Sequence, residues 1–355
     1  MMKNSVLTFA MTGCVLFMPL TAYAVEVAGD LLHVYGKIHL SVDNSDTDGL
    51  NDADYQDGIS ISSNSSRLGF KGRYQQLIYQ LEQEVRVDDS SAGNFADRNS
   101  YIGVTGSWGS VRAGIYDTPY KSVAASWEIL GDTVGDRRSI LGAGYQSGNQ
   151  LNERVKNMIM YQHEIETIRV QAMYAVDPED DADNAGVVDN NKHEMLGAGL
   201  WWDVADFIIM MAYEDWTGHS FIGDGKAYRV AAVLQLSDHR IGAIYEDIDP
   251  DTANEFSRAA YGFNWKWQLI RDWDLRLQYL LADSADDSTD TGGSNFSTAV
   301  SHQLNRQTGI YLAYTLTGND ANASFQAVDG GHGDEVKTVN GGSPSSISLG
   351  LEFSF

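Results

Sequence analysis

The sequence contains almost no cysteine and very little proline. Among 355 residues there are five prolines and a single cysteine, Cys14, which lies near the amino terminus. If that terminal segment is removed, the remaining chain has no disulfide, and its stability must come from hydrogen bonding and apolar burial. After the amino-terminal segment, the chain also lacks any uninterrupted apolar run of the roughly 18–20 residues that a membrane-spanning helix needs.

Basic residues are scarce relative to acidic ones. Lys and Arg number 24 against 49 Asp and Glu, so the formal net charge is −25. Proteins that bind DNA or RNA contact phosphates through Lys and Arg. The charge therefore argues against nucleic acid as a partner and favours cations.

The short motifs of soluble enzymes are incomplete in this chain. Neither His163-Glu164 nor His193-Glu194 is followed by a second histidine at the spacing of a zinc site. Gly142-Ala143-Gly144-Tyr145 lacks the third glycine of a dinucleotide-binding turn. The neighbours His219 and Ser220 would point to opposite faces of an extended segment. We therefore expect no enzyme activity, no metal centre and no cofactor.

The first 24 residues have the pattern of a secretory signal peptide. A short basic start at Met1-Met2-Lys3-Asn4 precedes a mostly apolar run over 5–20, and Ala22-Tyr23-Ala24 is a small-x-small cleavage site. Two alternatives are a membrane anchor and a lipoprotein cleavage box ending at Cys14, but the apolar run is short for both. We predict a cleaved signal peptide over 1–24 and a folded chain over 25–355.

What the chain does contain is strict alternation of apolar and polar residues. From Ile347 to Phe355 every odd position is apolar and every even one is small or polar. The same alternation recurs at Leu32–Val42, Tyr261–Leu269 and Trp273–Leu281. A helix has a period of 3.6 and would not produce it. A soluble sandwich would also alternate, but seldom with so many long strands whose apolar faces end in Trp and Tyr.

This alternation predicts an all-β fold, a transmembrane antiparallel β-barrel of about 16 strands. We place the strands near 32–42, 59–73, 76–87, 98–107, 110–116, 154–163, 167–176, 192–203, 205–217, 226–236, 240–249, 256–269, 273–282, 295–304, 308–317 and 346–355. Tight turns such as 204–206 alternate with long acidic connections. A charge facing the middle of the bilayer costs about 2–4 kcal/mol. The apolar face must therefore be the outer one, with Lys37, Arg229 and Arg276 directed into the lumen.

Three segments resemble the general (non-specific) porins of Gram-negative bacteria: Tyr35-Gly36-Lys37, Ser66–Gly72 and the terminal Phe355. The resemblance spans residues 25–355, is strongest over 32–120 and at the carboxyl terminus, and is weak in the outer loops. It implies a long third loop, roughly 118–153, that folds into the lumen and carries acids opposite a basic ladder on the wall. The corresponding ladder positions are Lys37, Arg67, Arg98 and Arg154, and the loop acids are Glu128, Asp132 and Asp136.

The third loop departs from the family in one respect, because its Pro-Glu-Phe-Gly-Gly-Asp-like motif is reduced here to Val134-Gly135-Asp136. The path of the loop is therefore open. A constriction with charges on opposite walls would act as a filter for solutes. The same charged side chains could instead be ordinary solvated wall.

We expect an outer-membrane channel for passive diffusion of ions and small hydrophilic solutes, with a preference for cations. The resemblance implies a homotrimer in contact with outer-membrane lipid and lipopolysaccharide. The alternatives are a substrate-specific channel for sugars or phosphate and an outer-membrane barrel hydrolase. An aromatic track in the lumen would favour sugars, but Tyr35 and Tyr311 alone do not form one. The acidic segments 177–181 and 283–287 are either a hydrated rim or binding sites for divalent cations.

Overall fold

The computed structural model of the protein describes residues 25–50, 57–88, 95–142, 151–179, 193–251 and 257–355. The predicted signal peptide, 1–24, lies outside the described residues. The strands are β1 (Val25–Glu26), β2 (His33–Asp46), β3 (Gly58–Ser63), β4 (Arg67–Tyr74), β5 (Leu77–Glu84), β6 (Ser100–Gly106), β7 (Gly109–Asp117), β8 (Arg154–Ile165), β9 (Ile168–Val176), β10 (Glu194–Val204), β11 (Phe207–His219), β12 (Gly223–Gln235), β13 (His239–Pro250), β14 (Arg258–Ile270), β15 (Trp273–Ala282), β16 (Gly293–Gln303), β17 (Thr308–Asn319) and β18 (Ser345–Ser354).

The strands form one closed antiparallel barrel. Each strand pairs with its neighbours in sequence, and β18 returns to pair with β2, for example Phe353 with Ile38. Segments β3 and β4 both pair with β2 and form one wall strand that is interrupted at 64–66. The short β1 adds only two residue pairs beside the start of β2. The predicted barrel of sixteen strands is therefore confirmed.

The two ends of the barrel differ. Turns of two to four residues join the strands at one end, and the other end carries the longer connections, apart from the short link 220–222. The start of β2 and the carboxyl terminus meet at the short-turn end, where Gly36 and Phe355 exchange two backbone hydrogen bonds of 2.9 and 3.0 Å. Short turns are periplasmic in such barrels, so the longer loops are extracellular.

The outer surface is an apolar band with aromatic side chains near both edges. Leu312, Leu349 and Leu351 point outward and are 53%, 59% and 48% exposed. Trp265 and Trp267 stack at 5.7 Å near the periplasmic edge. Among the described residues, no helix is both long enough and apolar enough to cross a membrane.

The inner face is not polar throughout, which differs from the expected wet lumen. Five inward methionines on β8–β11 are at most 1% exposed. They are Met158, Met160, Met173, Met195 and Met210. They pack beneath the third loop, which folds into the lumen as the family resemblance implied. The inner wall is therefore apolar where protein covers it and polar where water remains.

The lipid-facing assignment predicts the effect of an outward charge. Leu312→Arg places a guanidinium against lipid tails and should lower the free energy of unfolding by about 2–4 kcal/mol. Ile347→Arg, which lies near the extracellular end of β18, should cost only about 0–1 kcal/mol because its side chain reaches the interface. Urea unfolding in lipid vesicles measures both, and equal costs for the two variants would contradict the assignment.

Candidate channel constriction

The third loop begins with a helix that lies inside the barrel. Helix α1 (Pro119–Trp127) starts with Thr118 as its N-cap, whose side-chain oxygen accepts a 3.1 Å hydrogen bond from the Lys121 amide. Proline at the first helical position fits the helix start because no amide hydrogen is needed there. The buried face of α1, including Tyr120 and Trp127, packs on the inner wall formed by β10–β13.

Glycines on the inner wall make room for this helix. A Cβ atom built at Gly242 would lie 2.7 Å from the Trp127 ring, and one at Gly262 would lie 2.9 Å from it. A Cβ atom at Gly199 would lie 3.0 Å from Pro119. These glycines are needed for close approach of the helix rather than for an unusual backbone conformation.

A buried ion pair holds both ends of the loop. Arg229 and Glu246 are 0% and 1% exposed, and Arg229 Nη2 lies 2.5 Å from Glu246 Oε2. Arg229 also donates to the Tyr120 carbonyl at 2.7 Å, and the Gly142 amide donates to Glu246 Oε1 at 2.6 Å. A buried ion pair is tolerated when such additional hydrogen bonds satisfy its remaining polar atoms. Arg229 therefore points inward, as predicted, and secures the loop rather than lining open water.

The tip of the loop is tied to the wall on the opposite side of α1. Arg276 donates to the Ile129 carbonyl at 3.0 Å, and Gln278 donates to the Gly135 carbonyl at 2.8 Å. Leu130 and Val134 pack in an apolar cluster with inward residues of β16 and β17. The loop therefore packs along the wall from β8 to β17 and leaves the inner face of β4–β7 outside these buried clusters.

The three predicted loop acids have different partners. Glu128 forms a buried ion pair with Arg137 and accepts a hydrogen bond from the Arg137 amide. Asp136 bonds to Arg138 at 2.7 Å. Asp132 contacts Arg138 at 3.2 Å and also reaches a ladder residue. Only Asp132 of the three thus joins the loop to the ladder.

The four predicted ladder cations lie on the wall that faces the loop. Lys37 Nζ is 3.0 Å from Asp132 Oδ2, which bridges wall and loop. Burial favours the neutral acid, but Lys37 and Arg138 outweigh it and hold the pKa of Asp132 well below its usual range. Asp132 therefore remains ionised, and Arg67, Arg98 and Arg154 follow along the same wall.

Sequence reasoning missed three acids that compensate the ladder. Glu82 contacts Arg98 at 2.9 Å and Arg67 at 3.9 Å. The other two pairs are Asp117 with Arg154 at 3.2 Å and Glu352 with Lys37 at 3.4 Å. The alternation was a usable signal for Glu82 and Glu352, because both lie on the polar face of their strands. The ladder is therefore a set of ion pairs rather than a row of isolated cations.

A second loop also folds inward, which the sequence analysis did not predict. In the segment 320–344, Val328 and Val336 form a β-bridge and pack against the tip of the third loop. The Ser65 hydroxyl donates to the Gly331 carbonyl at 3.0 Å, and the Gly333 amide donates to Asn64 at 2.9 Å. This segment, named loop 8 here, therefore reaches over β2 to the interruption between β3 and β4 and contacts the tip of the third loop.

The acidic outer loops were interpreted as a hydrated rim or as cation sites. Ligand atoms of Glu153, Glu179 and His219 lie within 4.8 Å of one another. However, His219 Nδ1 accepts hydrogen bonds from the Phe221 and Ile222 amides at 3.1 and 3.3 Å. In the neutral ring the proton is then on Nε2, so this nitrogen has no lone pair for a metal. Nε2 lies 3.8 and 3.6 Å from the carboxylates of Glu153 and Glu179, so the group is a close polar contact of two acids with one imidazole rather than a metal site.

The remaining acids of these two segments are only partly described. Asp180 and Asp181 lie outside the described residues. In the second segment, Asp283 accepts a hydrogen bond from the Tyr261 hydroxyl at 3.2 Å, and Asp286 accepts one from Ser257 at 2.8 Å. Asp283 therefore binds β14 and Asp286 binds the connection that precedes β14, so the two carboxylates have separate partners.

Solved structures of other outer-membrane proteins share this fold. An anion-selective porin from Comamonas acidovorans superposes with a TM-score of 0.73 at 18% identity, covering 91% of this chain and 99% of that one. OmpF of Salmonella typhi, in complex with daunomycin, gives 0.63 at 13% identity over 94% and 100% of the two chains. A loop L8 deletion mutant of OmpT from Vibrio cholerae gives 0.63 at 16% identity over 91% and 99%. At these identities the likeness establishes the fold.

Sequence comparison supplies the family. The major outer membrane protein P.IB of Neisseria gonorrhoeae is 30% identical over 105 residues, which is 27% of this chain and 30% of that protein's length. A family model described as Gram-negative porin matches residues 10–322. With a closed barrel and a lumen loop beside a charged wall, the chain belongs to the Gram-negative porins and resides in the outer membrane.

Proposed function

We propose that this porin is a general diffusion channel for ions and small hydrophilic solutes and is not an enzyme. The observation that carries the proposal is the 3.0 Å contact between Lys37 and Asp132, where wall and loop charges bound one side of the remaining passage. Charged groups that border a narrow water column select solutes by size and polarity rather than by a shaped pocket.

The alternative of an outer-membrane hydrolase has less support. The neighbours His219 and Ser220 do not form a nucleophile–base pair, because His219 Nδ1 accepts from backbone amides and the Ser220 hydroxyl donates to Glu179 at 2.5 Å. A nucleophilic serine needs a base within hydrogen-bond reach. The diffusion channel therefore remains the preferred proposal, with a sugar or phosphate channel as the second candidate.

We further propose a modest preference for cations. The chain carries a formal net charge of −25, and the wall acids Glu82, Asp117 and Glu352 offset the positive ladder at the constriction. With the ladder compensated, the acidic extracellular loops determine which ions are concentrated at the mouth. We also propose that the chain assembles as a homotrimer, because OmpT of Vibrio cholerae, which shares the fold, was solved in a trimer form.

Liposome swelling with neutral sugars of increasing size tests the diffusion proposal. Swelling rates should fall steadily with molecular mass and rise linearly with concentration, because no solute is bound. Empty vesicles and vesicles with heat-denatured protein are the controls. Saturable uptake of one sugar or of phosphate would instead favour the substrate-specific channel.

Single substitutions at the constriction test the ladder and loop assignment. Asp132→Ala removes the negative partner of Lys37 and should shift the reversal potential in a KCl gradient toward anions, with an altered single-channel conductance. Arg67→Ala should shift the potential in the opposite direction. Asp206→Ala, which removes an exposed charge from a periplasmic turn, is the control. Unchanged conductance and selectivity in both constriction variants would contradict the assignment, and an anion-selective wild type would contradict the cation preference.

Loop 8 should be docked more firmly in acid than at neutral pH. Burial is the main cause that raises the pKa of Asp329 from 3.8 to about 7, so the docked loop binds a proton that the free loop releases. The stabilisation of the docked loop by protonated Asp329 is fully present below pH 3.8. It falls as the pH rises to about 7 and does not change further above that pH. Amide exchange over 320–344, corrected for the intrinsic rate, should thus be faster at pH 8 than at pH 5.

Asp329→Asn is the matched variant for this experiment because it keeps the shape of the side chain but does not titrate. The variant should lose most of the difference between pH 5 and pH 8. An identical pH dependence in variant and wild type would show that another group controls the loop.

A further inference from the structure

An arginine on the inner wall lies between two tyrosine rings. The guanidinium of Arg112 is 5.0 Å from the centroid of Tyr101 and 4.7 Å from that of Tyr116, and the two rings meet edge to face at 5.6 Å. Ile102, the neighbour of Tyr101, is 57% exposed on the lipid side, so Tyr101 points into the lumen. These three residues are named the arginine–tyrosine cluster.

The cluster lies on the periplasmic side of the constriction. Arg112 is three residues beyond the start of β7 at the periplasmic turn 107–108. A similar contact flanks it, with Lys71 Nζ 5.0 Å from the centroid of Tyr35. Tyr35 pairs with Gly69, two residues closer to the periplasm than the pair of Lys37 and Arg67. Solutes that leave the ladder toward the periplasm therefore meet aromatic faces and two further cations.

These two cations differ from the ladder in their partners. Every ladder residue has a carboxylate within 4.0 Å, whereas within the described ranges neither Lys71 nor Arg112 forms such an ion pair. Arg112 donates instead to the amide oxygen of Gln162 at 2.9 Å. Arg112 is only 7% exposed, and its buried Nε has no hydrogen-bond partner among the described residues. Positive charge is thus left uncompensated at this level.

The chemistry of the cluster suits a planar anion. A guanidinium stacked on aromatic faces keeps its N–H groups in one plane, where they can donate to both oxygens of a carboxylate. A flat ring can pack against a half-buried tyrosine in an offset or edge-to-face arrangement. A neutral sugar would gain the ring contacts but not the charge, and an inorganic anion would gain only the charge.

We propose that the arginine–tyrosine cluster is a binding subsite for small aromatic carboxylates on the periplasmic side of the constriction. The carboxylate binds Arg112 and is also attracted by the positive charge of Lys71, and the ring packs on Tyr101 and Tyr116. The proposal rests on the proposed channel function, because the solute must reach the lumen. It is independent of the sign of the ion selectivity, which the compensated constriction and the acidic mouth determine.

Benzoate is the probe, added to single channels in a planar bilayer in KCl. It should cause brief current blocks, more frequent from the periplasmic side than from the extracellular side. Acetate lacks the ring and benzyl alcohol lacks the charge, so neither should block at the same concentration. Equal blocking by acetate would show that negative charge alone causes the blocks, and it would overturn the proposal.

Two variants and a matched control locate the blocks. Arg112→Gln should weaken benzoate binding by at least about 10-fold, the change expected when one hydrogen bond to a charged group is lost. Tyr101→Leu should shorten the blocks while leaving the charge in place, and it serves if the arginine variant does not fold. Lys266→Gln removes an inward cation of the periplasmic half that is paired with Asp274 at 3.4 Å, and it should leave the blocks unchanged.

The outcomes separate the subsite from the channel. A wild type that does not conduct KCl would contradict the proposed function, and with it the subsite. A conducting wild type without benzoate blocks would contradict the subsite alone. Blocks that weaken equally in Lys266→Gln and Arg112→Gln would also overturn it, because the total lumen charge would then explain them.

Discussion

The structure depends on the closure of the sheet between β18 and β2. A bilayer offers no water to an unpaired backbone group, so an open sheet edge would leave a row of amides and carbonyls unsatisfied. The pairing from Ser345 with Asp46 to Ser354 with Lys37 removes that edge. Closure separates the two sets of alternating side chains, because one face of the sheet then meets lipid and the other encloses a lumen. Every feature of the constriction is attached to this inner face.

The third loop divides the lumen into a filled half and an open half. Along β8–β17 the loop packs against the wall, and the wall beneath it carries methionine, alanine and glycine. On β2, on β4–β7 and at the start of β8 the wall keeps its charges, and those of the ladder are arranged in ion pairs. Because Glu82, Asp117 and Glu352 offset the cations, the open half has a strong local field but little net charge at the ladder. Charge density along the passage is therefore uneven, with less compensation toward Lys71 and Arg112.

The sequence could predict the barrel because a period of two is a local property that each strand shows by itself. From the family resemblance it also predicted a constriction role for Lys37 and Asp132; the two side chains lie 3.0 Å apart, and the role itself stays a prediction. It could not identify the partners of Glu128 and Asp136, because these depend on how the loop turns back after Gly135. Loop 8 was missed for a similar reason: its apolar residues, such as Val328, follow no period, and their burial depends on a loop almost 200 residues away in the chain.

The glycines under α1 have a consequence for engineering this barrel. Wall and loop form a matched pair of surfaces, since Gly199, Gly242 and Gly262 leave the space that Pro119 and Trp127 occupy. Grafting a foreign third loop onto these strands would leave gaps unless the graft carried side chains of the same bulk. Conversely, transplanting this loop into another scaffold requires moving the three glycines with it. The unit that can be exchanged is therefore the loop together with the inner-wall positions on which it packs.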